Sequence, residues 1–319
     1  MSRVYDLVMT HKLDADDYFI HRVQEHCANR GMNFFLIEPV WVEEFHAKLA
    51  RDHVWAWVLL NLHSEHHLPD DPFSRVVRLA ATRSVTVIDA PDVALASFDK
   101  ARLHPLLAEH GLNVPYTVIV PAEQIASVRF TDEQRASLGS PFVIKPSLGY
   151  GRQGVILDAQ SEADFARSHG AWHDPHLLAQ RKIESRDFAG HPAYFRVFYC
   201  FGEAWLAWWN PATDLYRSVA PSEEGRFRLH PLREIVARVA ALTGMNLFSS
   251  EIAVTPANEF VLIDYVNDQC HLLTQSADPR IGVPDEIVAG IARRFVDSAA
   301  EIVTRAKADH ARRQSAASG

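Results

Sequence analysis

The sequence predicts an α/β N-terminal domain built on a small parallel sheet, followed by an α+β remainder whose antiparallel strands carry an anion site. Three observations predict it. Apolar strands and amphipathic helices alternate through short connections over the first ninety or so residues, tight-turned strand pairs dominate the second half, and one strand delivers a lysine into a glycine-rich loop. That strand and loop run Pro141-Phe-Val-Ile-Lys145-Pro-Ser147-Leu-Gly149-Tyr-Gly151-Arg-Gln-Gly154-Val155. A β-branched run without a polar break reads as a buried strand, and a lysine closing it is costly to bury unless an anion meets it. Glycines at 149, 151 and 154 let backbone N–H groups approach phosphate oxygens closely. The spacing is neither GxxxxGK[ST] nor GxGxxG.

In chain order, Val4 to Met9 reads as a strand, and Asp14 to Asp17 caps a helix that ends near Arg30 before Gly31. Strands at 33–37, 55–60 and 85–88 then alternate with helices at 41–51 and 72–81. Such alternation implies right-handed crossovers and a parallel sheet over residues 1–92. Val93 to His110 reads as one helix closed by Gly111, with Asp99 and Lys100 inside it. Strands follow at 115–120, 155–157 and 176–183, with helices at 131–138 and 162–169. Tyr194 to Phe201 and Glu203 to Trp209 pair across Gly202, and Trp205, Trp208 and Trp209 read as sheet packing. After a helix over 232–243, strands 250–254 and 260–264 each carry an acid, Glu251 and Asp264. A final helix covers 285–306, and the polar residues 307–319 read as a disordered tail.

Composition narrows the function. The chain has 319 residues and a net charge of −8, which argues against a nucleic-acid partner held by bulk electrostatics. No apolar run is long enough for a membrane span, and the N-terminus does not read as a signal peptide. Three scattered cysteines, Cys27, Cys200 and Cys270, fit reduced thiols and a cytoplasmic location. The loop His63-Ser-Glu-His66-His67 lies after a strand of the N-terminal sheet and reads as a substrate-facing or solvated loop rather than a metal site. Cys270-His271 does not read as a catalytic dyad, since neighbouring strand residues face opposite ways; His271 is instead placed near substrate.

A lysine, a glycine loop, a strand-end amide (Gln180), a strand arginine (Arg196) and acids on neighbouring strands suit a magnesium nucleotide, because Mg²⁺ takes one or two carboxylates plus phosphate oxygens and water. Lys100 before Gly-Leu-Asn-Val-Pro, the Phe-Val-Ile-Lys-Pro strand with its glycines, Leu-Leu-Ala-Gln before Ile183, Arg196 in Phe-Arg-Val-Phe, and Glu251 with Ile-Asp-Tyr-Val-Asn at 263–267 together resemble the ATP-grasp superfamily over residues 95–275. The likeness is to carboxylate–amine ligases of the ribosomal-protein glutamate ligase and D-alanine–D-alanine ligase kind. Residues 1–92 resemble its preceding α/β domain, 93–190 its central lobe and 191–306 its C-terminal lobe.

The resemblance implies ATP between two α+β lobes. Lys100 and Lys145 would meet its phosphates under the loop from Ser147 to Gly154, and Gln180, Lys182 and Ile183 would form the adenine hinge. Glu184 or Asp187 would hold the ribose, Arg196 would stabilise the transferred phosphoryl, and Glu251, Asp264 and Asn267 would ligate Mg²⁺, with Mn²⁺ as the alternative ion. The family's final acid and asparagine stand two residues apart, whereas Asp264 and Asn267 stand three apart. A bulge, an earlier strand end, or Asp268 as the ligand each accommodates this. The implied activity is ATP-dependent C–N bond formation through an acyl phosphate on a small metabolite, amino acid or peptide, with a hydroxyl kinase and a silent nucleotide-binding protein as alternatives. Substrate selection is expected from the loop near His63 and from 210–227, and the oligomeric state is open, a homodimer being compatible.

Overall fold

The computed structural model describes residues 3–11, 17–62 and 68–317. The acids expected to open the first helix at 14–16, and the loop His63 to His67, lie outside the described residues.

The N-terminal segment runs β1 (Arg3–Thr10), α1 (Asp17–Asn29), β2 (Phe34–Ile37), α2 (Val42–Ala50), β3 (Val54–Leu60), α3 (Pro72–Thr82) and β4 (Thr86–Ile88). Its four strands are parallel in the order β2-β1-β3-β4, as the alternation predicts. Asp71 opens α3 by accepting from the N–H groups of Phe73 and Ser74, with Pro72 in the first turn where its missing N–H costs nothing.

The predicted helix over 93–110 is two helices, α4 (Pro91–Phe98) and α5 (Lys100–Glu109). Asp99 breaks it: its backbone is extended, and its carboxylate caps α5 through the N–H groups of Ala101 and Arg102. Lys100 therefore starts a helix rather than sitting inside one.

The central lobe contains β5 (Thr117–Pro121), α6 (Asp132–Leu138), β6 (Phe142–Pro146), β7 (Ile156–Ala159), α7 (Asp164–Ala171) and β8 (His176–Arg181). Its antiparallel sheet has the order β5-β8-β6-β7. Phe142, Ile144, Leu177 and Ala179 pack on one side with Phe130 and Phe165. Strand alternation turns Thr117, Val143, Lys145, Leu178 and Gln180 to the other side.

A short hairpin, β9 (Asp187–Phe188) and β10 (His191–Pro192), leads to β11 (Tyr194–Cys200), β12 (Glu203–Trp209), β13 (Tyr216–Ser218), α8 (Pro221–Arg226), α9 (His230–Thr243), β14 (Leu247–Val254), β15 (Phe260–Asn267) and α10 (Asp285–Ala317). The five-stranded sheet is antiparallel, ordered β13-β12-β11-β14-β15. One face buries Phe195, Val197, Leu206 and Trp208 beneath α9 and α5.

The last helix differs most from expectation. Instead of ending at Ala306 before a disordered tail, α10 continues to Ala317, with Lys307 paired to Asp6 at 2.6 Å and His310 edge-on to Trp57. It also does not belong to the C-terminal lobe alone. Ile291, Phe295, Val296 and Ala299 share one apolar cluster with Leu7, Met9, Phe19 and Val58 of the N-terminal segment and Phe198 and Leu247 of the five-stranded sheet. Asp89, after β4, fastens the same junction by accepting from the N–H groups of Asn246 and Leu247 and from the Asn246 amide. Burial, with Asp268 nearby, pushes its carboxyl up to about 7.

Phe295 is fully buried in that shared cluster. Phe295→Ala is expected to cost about 3–5 kcal/mol. In urea, the N-terminal segment and the C-terminal sheet should then unfold at one lowered midpoint; separate midpoints would mean that the cluster does not unite them.

Candidate active site

The site lies where the polar face of the central sheet meets the face of the five-stranded sheet opposite α9. On the latter, register aligns Arg196 with Glu251, Glu251 with Asp264, and Ser249 with Asn267. Glu251 stands two positions beyond Ser249 whereas Asn267 stands three beyond Asp264, so β15 carries the extra residue of a bulge there, and its register shifts again at Ile263. The bulge restores the common facing that the sequence spacing put in question. Asn267 still belongs to the strand, and its amide donates to the Ser249 carbonyl at 3.2 Å.

Arg196, at the centre of this face, donates to Glu251 at 2.5 Å and to Ser249 Oγ at 3.0 Å. Burial pushes the Glu251 carboxyl up to about 7 even though Arg196 opposes the shift. At Asp264 burial acts in the same sense, but Lys100, Lys145 and Arg196 outweigh it and hold the carboxyl below its ordinary value.

Lys145 crosses from the central sheet, donating to the Ile263 carbonyl at 2.9 Å and lying 4.0 Å from Asp264. Burial pulls its ammonium below the usual lysine range, while Asp264 partly restores it. Lys100 donates to the Gly149 carbonyl at 3.0 Å, which brings it to the base of the glycine loop. Three cations thus face two carboxylates, a balance that favours an anionic ligand.

The glycine loop is anchored at both ends. Asp174, unremarked in the sequence, accepts from the N–H of Leu148 at 2.7 Å. Gly154 has φ +71°, and a Cβ there would come within 2.8 Å of Pro146 Cγ and Trp172 Cβ. Ser147 is fully enclosed: its hydroxyl donates to Asp99 and accepts from Ala101 N, while its N–H donates to His176 O and its carbonyl accepts from Lys100 N. At the loop tip, Arg152 reaches the other lobe, donating to Asp214 at 2.7 Å and to the Pro211 carbonyl at 3.0 Å.

Gln180 is buried beneath the site. Its amide donates to Tyr265 Oη at 2.9 Å and to Thr117 Oγ1 at 3.1 Å, and the tyrosine hydroxyl shares a hydrogen bond with His104 Nδ1, 2.6 Å away. Burial and the Lys145 charge lower the His104 pKa to about 4, keeping the ring neutral. Lys182 and Glu184 are exposed beyond β8 and Ile183 is half-buried. Asp187 is exposed and accepts from Gly190 N within its own hairpin.

The structure therefore brings together Lys100, Lys145, Gly149, Arg196, Glu251, Asp264 and Asn267. Arg217, whose place the sequence does not fix, pairs with Glu223 on the opposite face. Cys270 is buried, and burial raises its thiol pKa. Tyr265, His104, Asp174, Arg152 and Asp214 escape sequence reading because each acts through a partner distant in the chain.

The donor set fits a magnesium ion. Asp264 Oδ1 is buried and, among the described residues, has no hydrogen-bond partner, an expensive state that a cation relieves. No group of three or more His, Cys, Asp or Glu side chains forms a complete cage among the described residues. Two carboxylates and an amide match an ion that completes its shell with phosphate oxygens and water.

No family model matches the chain. A 93-residue stretch is 32% identical to D-alanine–D-alanine ligase of Rhodococcus opacus (strain B4), and this chain spans only 24% of that relative's length, the stretch being 29% of the chain. Among solved structures, D-alanine–D-alanine ligase of Bacillus anthracis with ATP superposes with a TM-score of 0.64 at 14% identity, covering 97% of this chain and 100% of that one. D-cycloserine synthetase DcsG gives 0.63 at 19% identity, with 94% and 99% covered.

Gly154 and Gly151 both have positive φ, yet a Cβ at Gly151 meets nothing within 4 Å. Gly154→Ala is therefore expected to lower stability by about 1–3 kcal/mol beyond Gly151→Ala, as overpacking does. Equal denaturation midpoints would count against the close approach. The antiparallel four- and five-stranded sheets, enclosing a lysine, an arginine and paired acids behind a parallel-sheet domain, give this chain the fold of the ATP-grasp ligases.

Proposed function

We propose that the protein is an ATP- and Mg²⁺-dependent carboxylate–amine ligase that works through an acyl phosphate. The observation that carries the reading is the convergence of Lys145, Arg196, Glu251 and Asp264 on one buried face, with an Asp264 oxygen that receives no hydrogen bond among the described residues. The names of the similar proteins, a D-alanine–D-alanine ligase and a D-cycloserine synthetase, support it.

In this reading Lys100 and Lys145 bind the phosphates of ATP, and the loop from Ser147 to Gly154 folds over them. Lys182 and Ile183 offer backbone groups to adenine, and Glu184 or Asp187 meets the ribose. The substrate carboxylate attacks the γ-phosphorus, the bond to the bridging oxygen breaks, and ADP leaves. Arg196 neutralises charge on the phosphoryl oxygens in flight. An amine then attacks the acyl carbon, the C–O bond to phosphate breaks, and inorganic phosphate departs as the amine loses a proton. Glu251, Asp264 and Asn267 hold Mg²⁺, which when bound screens the phosphate charge and orients its oxygens. No side-chain nucleophile is required, in keeping with the buried Cys270.

Incubation with ATP, Mg²⁺, amino acids and short peptides is expected to release ADP and phosphate in equal amounts, with hydroxylamine trapping a hydroxamate. Phosphate retained on the acceptor would instead identify a kinase. Lys145→Ala and Asp264→Ala should each lower kcat about a thousandfold or more, roughly 4 kcal/mol of barrier, without loss of fold by circular dichroism. Full activity of Asp264→Ala would remove the metal assignment.

A further inference from the structure

Beside Arg196, the five-stranded sheet carries a row of rings, of which Tyr216 also packs against the cluster under α10. Trp208 packs into the cluster beneath α9, and Trp205 packs against the cluster under α10. Trp209 belongs to none of the four apolar clusters. It is nevertheless only 6% exposed. Charged groups accompany it: the Arg196 guanidinium lies 5.7 Å from its ring centroid, and that of Arg152 lies 5.6 Å away. Its indole N–H is buried and has no hydrogen-bond partner among the described residues.

The rings continue on both sides. Tyr194 meets Trp209 edge-on at 5.5 Å, Tyr216 lies 6.3 Å beyond Trp209, and His271 stacks on Tyr216 at 6.4 Å. Tyr194 stands two residues from Arg196 on β11, and Tyr216 pairs with Trp209 across β12 and β13, so the rings share the face that holds Glu251 and Asp264. His271 is fixed by its Nε2, 3.0 Å from the Ile281 carbonyl, and Tyr216 by its carbonyl, which accepts from Gln275.

We propose that Tyr194, Trp209 and Tyr216 form the subsite for the side chain of the carboxylate substrate, and that they select a planar aromatic group. This rests on the ligase reading above and deepens it. A flat, delocalised group already lies over Trp209, namely the Arg152 guanidinium, and Arg152 belongs to the glycine loop rather than to the sheet. Swinging the Arg152 side chain aside, with the loop still over the phosphates, empties that place for an aromatic ring. A carboxylate on the same substrate then lies within reach of Arg196, whose guanidinium borders the same tryptophan. The unpaired indole N–H adds a donor for an acceptor atom on the substrate. An aliphatic side chain fills volume there but gains no ring stacking.

Two measurements test this separately from the activity. Equilibrium binding of 3-phenylpropanoate and 3-(4-hydroxyphenyl)propanoate, against hexanoate, is followed by saturation-transfer NMR on the wild type, Trp209→Leu and Trp209→Phe. The aromatic acids should bind at least tenfold more tightly than hexanoate; Trp209→Leu should erase the difference and Trp209→Phe should keep most of it. ADP release with phenylalanine and tyrosine against leucine and alanine should show the same preference in kcat/KM, with KM for ATP unchanged in Trp209→Leu. Aromatic binding that depends on Trp209, without ADP release from any pairing, would uphold the subsite and overturn the ligase reading. Wild type that binds hexanoate as well as the aromatic acids, or a preference that survives in Trp209→Leu, would overturn the subsite.

Discussion

An ammonium group between two sheets persists only where oxygen atoms meet it, and Lys145 finds those oxygens on the opposite sheet, at the Ile263 carbonyl and Asp264. That single crossing sets the rest. The lysine must leave β6 on the face away from Phe142 and Ile144, and β15 must present both a carbonyl and a carboxylate at one point along its edge. The register shift at Ile263 accompanies the second demand, and the bulge beyond Asp264 keeps Asn267 in register with Ser249.

Beneath the charged layer, Tyr265 ties three elements together. Its ring lies 5.3 Å from the Lys145 ammonium, its hydroxyl joins His104 of α5 to Gln180 of β8, and its carbonyl accepts from Ser250. These groups share one hydrogen-bond network, so the placement of each bears on the others. A neutral His104 is part of that order, because an imidazolium beside Lys145 would add a buried like charge.

Much of this was readable in the linear sequence wherever the signal is local. The alternating N-terminal elements, the glycine loop after Lys145, and the acids on β14 and β15 follow from periodicity and from the cost of burying charge. The break at Asp99 did not follow, because Ala-Leu-Ala-Ser-Phe-Asp-Lys is compatible with continuous helix and only the capping geometry shows the stop. Residues 307–317 have a polar composition that reads as disorder, yet Asp6 and Trp57 give Lys307 and His310 tertiary partners. Trp209 reads as packing like its neighbours until the clusters reveal that it alone of the three lies outside them.

The apolar clusters divide the molecule differently from the sequence. One of them draws only on residues between Val118 and Ala179, whereas the others bind the N-terminal segment, α4, α5, the five-stranded sheet and α10 into one mass. The ties named across the boundary, from Lys145, Gln180, Ser147, Lys100 and Arg152, are hydrogen bonds, ion pairs and cation–π contacts. Parting a seam of that kind leaves the oily interiors of both bodies sealed, and its donors can exchange protein oxygens for those of water or phosphate. On the function proposed above, a nucleotide entering that seam would replace polar ties rather than break apolar packing.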